Sequence, residues 1–436
     1  MSDIIEPKTL RGFRDSLPAA ELARQEIQEK LAREFRRYGF VPIDTPALEY
    51  AEILLGKGGG ETDKQVYRFQ DHGQRDVALR FDLTVPFARF MAAHAHELYL
   101  PFKRYHMAKV WRGENTQRGR YREFVQIDFD IVGADSPSAD FEILAVMQAS
   151  FRALGIEQVR IHVSHRELFT QFLAARGLGD RYLPILRAID KLRKIGEAEV
   201  RSQLAGLVGA AAAAEALAFI APGASARETL KRLAAFLPPG SPPVERLTAV
   251  WECIEAAGLG GYFVLDPAIT RGLDYYTGVV FETFLTELPD IGSVCSGGRY
   301  NDLASLYTKE KLPGVGASIG LDRLLAALEE LKLTGASTAA PQVLILLLQE
   351  SLLPGYHRLA AELRSAGLAA EVYPEARKLA VQLKYAEKRA IPLAVFFGPE
   401  EQARGLYTLK DLQRRQSHEG LTAAAVAETA ARLLRP

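Results

Sequence analysis

A long antiparallel hairpin is predicted between Pro101 and Gly133, where two strand-like runs flank a short polar segment from Gly113 to Gly119. Its second arm alternates apolar and polar side chains, which is typical of a strand with one face in the core and one polar face. The apolar positions are Val125, Ile127, Phe129 and Ile131, and the polar positions are Gln126, Asp128 and Asp130.

Positive charge is concentrated in the same hairpin. Between residues 102 and 122, seven cations face a single acid, Glu114, although the whole chain has a formal net charge of +0. The cations are Lys103, Arg104, Lys109, Arg112, Arg118, Arg120 and Arg122. Cations at the turn and carboxylates along one strand face are suited to hold a polyanion beside an ammonium group. The alternative is a solvated edge hairpin whose charges only keep the chain soluble.

Length and composition indicate a globular protein of two or three domains. The chain has 436 residues, of which 48% are hydrophobic and 25% charged. The sequence lacks an apolar run long enough for a membrane helix, so we expect a cytoplasmic protein without a membrane partner. Cys253 and Cys295 support neither a disulfide framework nor a zinc site, and the His162–His165 pair is a poor metal site, so no metal ligands are assigned.

The first part of the chain combines a helix with extended segments. A helix is predicted over Leu22–Tyr38, followed by a proline-bearing segment that is either an edge strand or part of a subunit interface. A second polar-faced strand is predicted over residues 77–86, with Arg80, Asp82 and Thr84 on one side of its pleat. Asp82 and Thr84 could bind an ammonium group; equally, Asp82 could pair with Arg80.

Two further blocks carry chemistry in the second half of the chain. Residues 167 to 243 are alanine- and leucine-rich and predict a helical insertion in a larger domain. The block from Arg271 to Tyr276 places a cation, an acid and two phenols where a strand begins. From Leu312 to Leu331, a strand of small residues leads into a helix with Arg323 near its start. Arg323 opposes the helix dipole there, so we expect it to have a partner; tight packing with a surface arginine is the alternative.

The end of the chain predicts a separate domain. Lys332 to Pro341 is a linker of small residues. Beyond it, buried apolar strands alternate with amphipathic helices, which indicates a compact α/β domain with a largely parallel sheet.

These motifs, in this order, resemble class II aminoacyl-tRNA synthetases, and specifically the histidyl-tRNA synthetase family. IDTPALEY is similar to the first class motif, RGENTQRGRYREFVQIDFD to the second and GVGASIGLDRLL to the third. RGLDYYTG and SGGRYNDL resemble the two histidine-specific signatures, and LKYAEKRAIPLAVFFG resembles the anticodon-binding domain of the family.

The resemblance implies an α+β class II catalytic domain, in which an antiparallel sheet of six strands is flanked by helices, with a helical insertion and a C-terminal α/β anticodon-binding domain. The implied boundaries are 1–166 and 246–331 for the catalytic domain, 167–245 for the insertion, 332–341 for the linker and 342–436 for the anticodon-binding domain.

The resemblance also implies an activity and its partners. The family attaches histidine to tRNA-His with ATP, through a histidyl-adenylate, so the implied ligands are L-histidine, ATP, Mg²⁺ and tRNA-His. The first motif implies a homodimer.

Each implied site residue follows from a matching motif position. Arg112 and Arg271 would hold the α-phosphate and act catalytically, with Arg271 also near the substrate carboxylate. The remaining ATP-binding residues would be Glu114, Arg120 and Arg323, and the histidine-binding residues would be Asp82, Thr84, Gln126, Asp130, Arg271, Tyr275 and Tyr276. The loop from Asn115 to Arg120 would touch the acceptor stem of tRNA.

Two segments depart from the commoner bacterial pattern. RFDLT at residues 80–84 and QIDFD at residues 126–130 resemble the branch of the family that includes eukaryotic enzymes. The principal rival is the regulatory subunit of ATP phosphoribosyltransferase, a non-catalytic relative that binds histidine as a sensor. That pattern typically lacks both the signature arginine and the C-terminal domain, whereas this chain has Arg271 and a full α/β segment. A second rival, a tRNA-sensing domain, is disfavoured by the intact Arg112 and Glu114.

Overall fold

The computed structural model describes residues 4–56, 65–116, 119–269, 275–333 and 341–435. Two compact units are present. The first comprises Met1–Ser16 and Arg24–Gly335, and the second comprises Leu17–Ala23 and Ala336–Pro436. None of the helices in the described ranges is long and apolar enough to cross a membrane.

The strands are numbered in chain order. They are β1 (Val41–Pro42), β2 (Leu48–Tyr50), β3 (Arg68–Gln70), β4 (Asp76–Leu79), β5 (Phe102–Trp111), β6 (Glu123–Val132), β7 (Val159–His165), β8 (Phe263–Leu265), β9 (Val279–Leu285), β10 (Cys295–Arg299), β11 (Gly314–Gly320), β12 (Val343–Ile345), β13 (Ala370–Val372), β14 (Leu393–Phe396), β15 (Tyr407–Asp411) and β16 (Gln416–Leu421).

The α-helices are numbered in the same way. They are α1 (Pro18–Arg37), α2 (Ala51–Leu55), α3 (Thr84–His94), α4 (Pro137–Ala153), α5 (Arg166–Ala174), α6 (Tyr182–Ile189), α7 (Leu192–Ile195), α8 (Glu197–Val208), α9 (Ala210–Ile220), α10 (Ala226–Phe236), α11 (Pro242–Ala256), α12 (Leu321–Glu330), α13 (Leu353–Ser365), α14 (Leu379–Lys388), α15 (Pro399–Arg404) and α16 (Ala423–Leu433).

The first unit is built on a large sheet that contains the predicted hairpin. Over the described residues, its strand order is β1-β5-β6-β11-β10-β9-β7-β8. Six neighbouring strands are antiparallel to one another: β5, β6, β11, β10, β9 and β7. The two edge strands of the sheet, β1 and β8, pair in parallel with β5 and β7. The predicted antiparallel sheet is therefore confirmed. The solvated-edge interpretation of the hairpin is wrong, because β5 and β6 both have partners on each side.

The two faces of β6 are both buried, for different reasons. Its apolar face packs under α1, where the Phe35 and Phe129 ring centroids lie 4.9 Å apart. Its polar face is covered as well, so that Gln126, Asp128 and Asp130 are buried. Carboxylates this deep require partners or a ligand, because burial penalises their charged form.

The predicted strand over residues 77–86 is wrong in its second half. Strand β4 ends at Leu79, and α3 begins at Thr84. The backbone leaves the sheet because Arg80 turns away to donate to the carbonyl oxygens of Thr45 and Lys109. Asp82 then accepts from the Val85 N–H at 3.1 Å at the start of α3. Asp82 is therefore held by a helix start and not by Arg80.

Helices α5 to α11 lie between β7 and β8 in the chain. They enclose an aromatic cluster in which Phe172 and Phe219 stack with centroids 4.3 Å apart and Phe236 packs edge-on. Helices joined by short loops make up this segment, and its described residues contain no strand, as its composition predicts.

The second unit contains a five-stranded sheet in the order β13-β12-β14-β15-β16. Strand β12 pairs in parallel with β13 and β14, whereas β14, β15 and β16 are antiparallel. The sheet is thus mixed, and the prediction of a largely parallel sheet is wrong for its second half. The missed hairpin is polar and β16 is mostly exposed, so it carries no apolar signal.

Candidate active site

A cavity of about 280 Å³ opens on the polar face of the large sheet. It is lined from β6, β10 and β11, from the start of α3 and α12, and from the turn after β5. Every predicted site residue within the described ranges lines it: Asp82, Thr84, Arg112, Glu114, Arg120, Gln126, Asp130, Tyr275, Tyr276 and Arg323. Arg271 lies outside the described residues, as do residues 117 and 118 of the hairpin turn.

One end of the cavity carries two carboxylates, the first of which lies at the start of α3. Asp82 is 1% exposed, and its Oδ2 accepts a hydrogen bond from the Tyr275 hydroxyl at 3.1 Å. Burial raises the pKa of Asp82, while the Val85 N–H and Arg112 oppose that rise. Thr84 lines the cavity beside it. Two acceptors are thus held on a helix start facing the cavity.

Asp130 is the second carboxylate at this end, and two groups hold it. Its Oδ2 lies 2.7 Å from Nη2 of the fully buried Arg104, and its Oδ1 accepts from the Tyr300 hydroxyl. The Arg104 contact is a charge pair without hydrogen-bond geometry at Oδ2. The Arg104 guanidinium also lies 4.1 Å from the centroid of the Phe87 ring. Burial raises the pKa of Asp130, and Arg104 opposes that effect most strongly.

Close approach of β11 to β6 makes room for this carboxylate. Gly316 is opposite Asp130 in the register, and a Cβ at Gly316 would lie 1.9 Å from Asp130 Oδ1. Only glycine fits there, which explains the small residue in this strand.

Arginines gather at the other end of the cavity. Arg112 Nε donates to the Phe81 carbonyl oxygen at 2.8 Å, which fixes its guanidinium near the Phe124 ring. Glu114 lies 3.9 Å from both Arg112 and Arg120, too far for close pairing. Arg323 Nη1 donates to the Ser293 carbonyl oxygen, and burial followed by the charge of Arg120 lowers its pKa. Three cations around one acid create a site for an anion.

The geometry therefore joins an anion site to a carboxylate-lined pocket on one rigid sheet. Comparison with known proteins decides which family builds this cavity. The family model described as histidyl-tRNA synthetase matches residues 12–324. The chain belongs to the histidyl-tRNA synthetase family. A second model, described as an anticodon binding domain, matches residues 342–432.

Relatives of the histidyl-tRNA synthetase family match almost the whole chain. The histidine–tRNA ligase of Treponema denticola is 51% identical over 403 residues, which cover 91% of this chain and 90% of that protein. The histidine–tRNA ligase of Rhodopirellula baltica is 47% identical, and the match covers 95% of this chain and 96% of that protein. The crystal structure of histidyl-tRNA synthetase from Nostoc sp. PCC 7120 has a TM-score of 0.87 at 34% identity, covering 99% of this chain and 100% of that one.

Two residues of this synthetase site were not predicted from the sequence. Tyr300, in the second histidine-specific signature, donates to Asp130, and the sequence analysis gave Tyr300 no role. Asp322, next to Arg323, accepts from Arg24 at 2.8 Å, from the Val125 N–H at 2.9 Å and from Arg14. The adjacency of Asp322 to Arg323 was the available signal. Its partners are about 200 to 300 positions away and could not be identified locally.

The HxxH pair belongs to the scaffold of the synthetase fold. His162 Nδ1 lies 2.8 Å from Asp266 Oδ2, and His165 accepts from the Glu167 N–H at the start of α5. In the described ranges, no group of three or more His, Cys, Asp or Glu side chains is placed to hold a metal ion.

Proposed function

We propose that this chain is a histidine–tRNA ligase that forms histidyl-adenylate from histidine and ATP and then transfers histidine to tRNA-His. The observation that carries the proposal is a single cavity with carboxylates at one end and arginines at the other. An amino acid has an ammonium group to bind, and ATP has phosphates, so both substrates match the charges that face them.

The residues divide into two groups by the substrate they serve. Asp82, Thr84 and Gln126 would bind the histidine ammonium, while Asp130, Tyr275 and Tyr276 would surround the imidazole. Arg112 and Arg271 would hold the α-phosphate, Glu114 the adenine, and Arg120 and Arg323 the outer phosphates. The fixed contacts of Arg112 with Phe81 and of Arg323 with Ser293 support these roles, because they hold both guanidinium groups in place before ATP binds.

Adenylate formation needs alignment more than a protein nucleophile. The attacking group is the carboxylate of histidine, and pyrophosphate leaves from the α-phosphorus. Arginines stabilise the charge that develops on the phosphoryl oxygens, and each such donor is worth roughly 2–4 kcal/mol. Selection of histidine rests on buried polar groups that competing side chains leave unpaired.

Mg²⁺ fits this site as a companion of ATP. In the described cavity lining, Glu114 and Asp322 are the carboxylates at the arginine end, and Asp322 already accepts from Arg14, Arg24 and the Val125 N–H. Glu114 is therefore the carboxylate left for Mg²⁺, which commonly uses one or two carboxylates together with substrate phosphates. When bound, it would neutralise phosphate charge.

The anticodon-binding model over residues 342–432 supports tRNA as the second substrate. We assign residues 1–166 and 246–331 to the catalytic domain, 167–245 to the insertion, 332–341 to the linker and 342–436 to anticodon binding. The turn from Asn115 to Arg120 would touch the acceptor stem.

We also propose a cytoplasmic homodimer. Exposed apolar side chains cluster on the small sheet formed by β2, β4 and β3, where Leu48 is 40%, Phe69 47% and Tyr50 50% exposed. Leu48 and Tyr50 belong to the segment that resembles the first class motif. Exposed apolar patches mark association surfaces. Sedimentation equilibrium should give twice the chain mass, and Tyr50→Glu should shift it toward the monomer.

The proposed reaction is tested by histidine-dependent exchange of labelled pyrophosphate into ATP. Native chain should exchange, and Arg112→Ala and Arg271→Ala should each reduce exchange by roughly 100-fold or more. A folded chain that binds histidine without exchange would instead support the regulatory subunit of ATP phosphoribosyltransferase. The match to the anticodon-binding model disfavours that alternative.

A further inference from the structure

Gln126 presents an unsatisfied oxygen at the cavity. Its side chain is largely buried and lines the cavity, and its Oε1 is a buried atom with no hydrogen-bond partner among the described residues. The other end of the amide is occupied, because Nε2 donates to the Ser318 hydroxyl oxygen at 2.6 Å. A buried polar atom without a partner is costly unless a ligand completes it.

Ser318 connects Gln126 to a third residue. Ser318 lies directly opposite Asp128 in the pairing of β11 with β6. Hydrogen bonding from Ser318 lowers the pKa of Asp128, against a larger rise to about 7 caused by burial. Asp128 is 1% exposed and is absent from the residues that line the cavity. Asp128 therefore does not touch a ligand in the cavity directly.

The Ser318 hydroxyl has a single proton, and the direction in which it donates that proton determines the orientation of the Gln126 amide. An ionised carboxylate only accepts, so once Asp128 is ionised the Ser318 hydroxyl opposite it has an acceptor for its single proton. Ser318 can then only accept from Gln126, and the NH₂ group of the amide has to face it. The carbonyl oxygen is left to face the cavity, where it can accept from a cation.

We propose that Asp128 and Ser318 are positioning residues that hold the Gln126 amide with its oxygen toward the substrate ammonium group. This inference rests on the proposed function, since the ammonium group is that of histidine. Arg104 is the largest cationic influence on Asp128, but its Nη2 pairs with Asp130, and Asp128 Oδ1 has no hydrogen-bond partner in the described structure.

Asp128→Asn tests the inference with almost no change in shape. An asparagine offers Ser318 an NH₂ donor as well as an acceptor oxygen, so the direction of the Ser318 proton is no longer fixed. When that proton goes to the Gln126 oxygen, the amide turns its own NH₂ group toward the ammonium, and a donor meets a donor. At pH 8, KM for histidine should rise roughly 2- to 10-fold while KM for ATP stays unchanged.

The probe that isolates the ammonium contact is 3-(imidazol-4-yl)propionate, which is histidine without its amino group. Its inhibition constant should be nearly unchanged in Asp128→Asn, so that the preference for histidine over this analogue falls. Ser318→Ala should lower the same preference. Ser150→Ala is the control, because Ser150 donates to the Val146 carbonyl oxygen within α4 and does not line the cavity.

A double-variant cycle shows whether Asp128 acts through Gln126. In a Gln126→Ala background, Asp128→Asn should cause no further loss of preference for histidine. An unchanged preference in both single variants, an equal rise in KM for ATP, or a persistent effect of Asp128→Asn without Gln126 would overturn the inference. Absence of exchange in the native chain would instead reject the proposed function.

Discussion

At the scale of single residues, the floor of the cavity is dominated by buried acids. Asp82, Asp128 and Asp130 are each no more than 2% exposed. Burial raises the pKa of all three, and Arg104 opposes the rise in each case. The fold therefore maintains a pocket with an excess of carboxyl groups, which an ammonium ligand would complete.

Asp128 should make the stability of the fold depend on pH in a definite direction. Its pKa is raised from 3.8 to about 7, so between these values the folded chain retains a proton that the unfolded chain has lost. Its contribution to the free energy of unfolding therefore falls as pH rises through this window. Asp128→Asn removes this dependence, and its stability relative to the native chain should increase from pH 5 to pH 8.

Urea unfolding of both chains at pH 5 and pH 8 measures this difference. His106 and His165, whose pKa values are lowered to about 4, act in the opposite direction but are present in both chains. The groups that influence Asp128 most are Arg104, Asp130, Ser318 and Asp82. Asp290→Asn, which removes an exposed carboxyl group, controls for the loss of one acid. A gain that is equal at both pH values would contradict the expectation.

Alternation along β6 was enough to predict that Gln126 and Asp130 share a polar face with Asp128. It could not show that Gln126 and Asp130 line the cavity whereas Asp128 does not, because the position of each side chain relative to the cavity depends on neighbouring strands. The Tyr300 partner of Asp130 was missed for the same reason, since 170 positions separate the two residues. Local pattern gives the face of a strand, whereas register across the sheet gives its contacts.

At the scale of elements, β11 depends on having no side chain at one position. A Cβ at Gly316 would meet Asp130 Oδ1 at 1.9 Å and the Phe129 carbonyl oxygen at 2.9 Å. Gly316→Ala should therefore lower the free energy of unfolding by about 1–3 kcal/mol and displace Asp130 from the cavity. KM for histidine should rise by more than about tenfold.

Gly320→Ala on the same strand provides the stability control. A Cβ added at Gly320 would lie 4.0 Å from its nearest neighbour, Arg323 Cβ, which leaves room for a methyl group. Equilibrium unfolding should place this variant close to the native chain. Equal destabilisation of the two variants would show that β11 rejects any side chain and that Asp130 is not the reason.

The segment before α1 contacts residues at the arginine end of the cavity. Arg14 donates to the Tyr121 hydroxyl at 3.0 Å, lies 4.0 Å from the Tyr121 ring centroid, and pairs with Asp322 beside Arg323. Arg14→Ala should raise KM for ATP about tenfold and leave KM for histidine unchanged, because its contacts lie at the arginine end.

Arg11→Ala is the control for this prediction, since the Arg11 side chain is exposed and its carbonyl oxygen makes the contact with Arg122. Steady-state exchange kinetics with each substrate varied in turn separate the two KM values. An equal rise of both values in Arg14→Ala would indicate a general loss of structure.

Sequence patterns failed at elements where polar side chains replace the apolar signal. The strand predicted over residues 77–86 breaks at Arg80, because that side chain bonds backbone oxygens and Asp82 begins a helix. The β15–β16 hairpin was missed because β16 has hardly any buried residue. The antiparallel hairpin of β5 and β6 was predicted correctly because its apolar period is long and unbroken.

At the scale of the whole molecule, the chain separates into two units with cores of their own. Every cavity-lining residue belongs to the first unit. The second unit buries its own apolar cluster, which includes Val343, Tyr356 and Leu393. The net charge of the whole chain is zero, but positive charge is unevenly distributed and is concentrated in the hairpin of the first unit.

A chain ending at Gly335 should keep the first reaction and lose the second. The cavity proposed to bind histidine and ATP is lined by residues of the first unit, so histidine-dependent pyrophosphate exchange should persist within about tenfold of the native rate. Charging of tRNA-His should fall by a much larger factor, because the segment that matches the anticodon-binding model is removed. Exchange and charging are measured on the same preparation, with circular dichroism to establish that the fragment is folded. A folded fragment that loses exchange and charging to the same extent would show that adenylate formation itself requires the second unit.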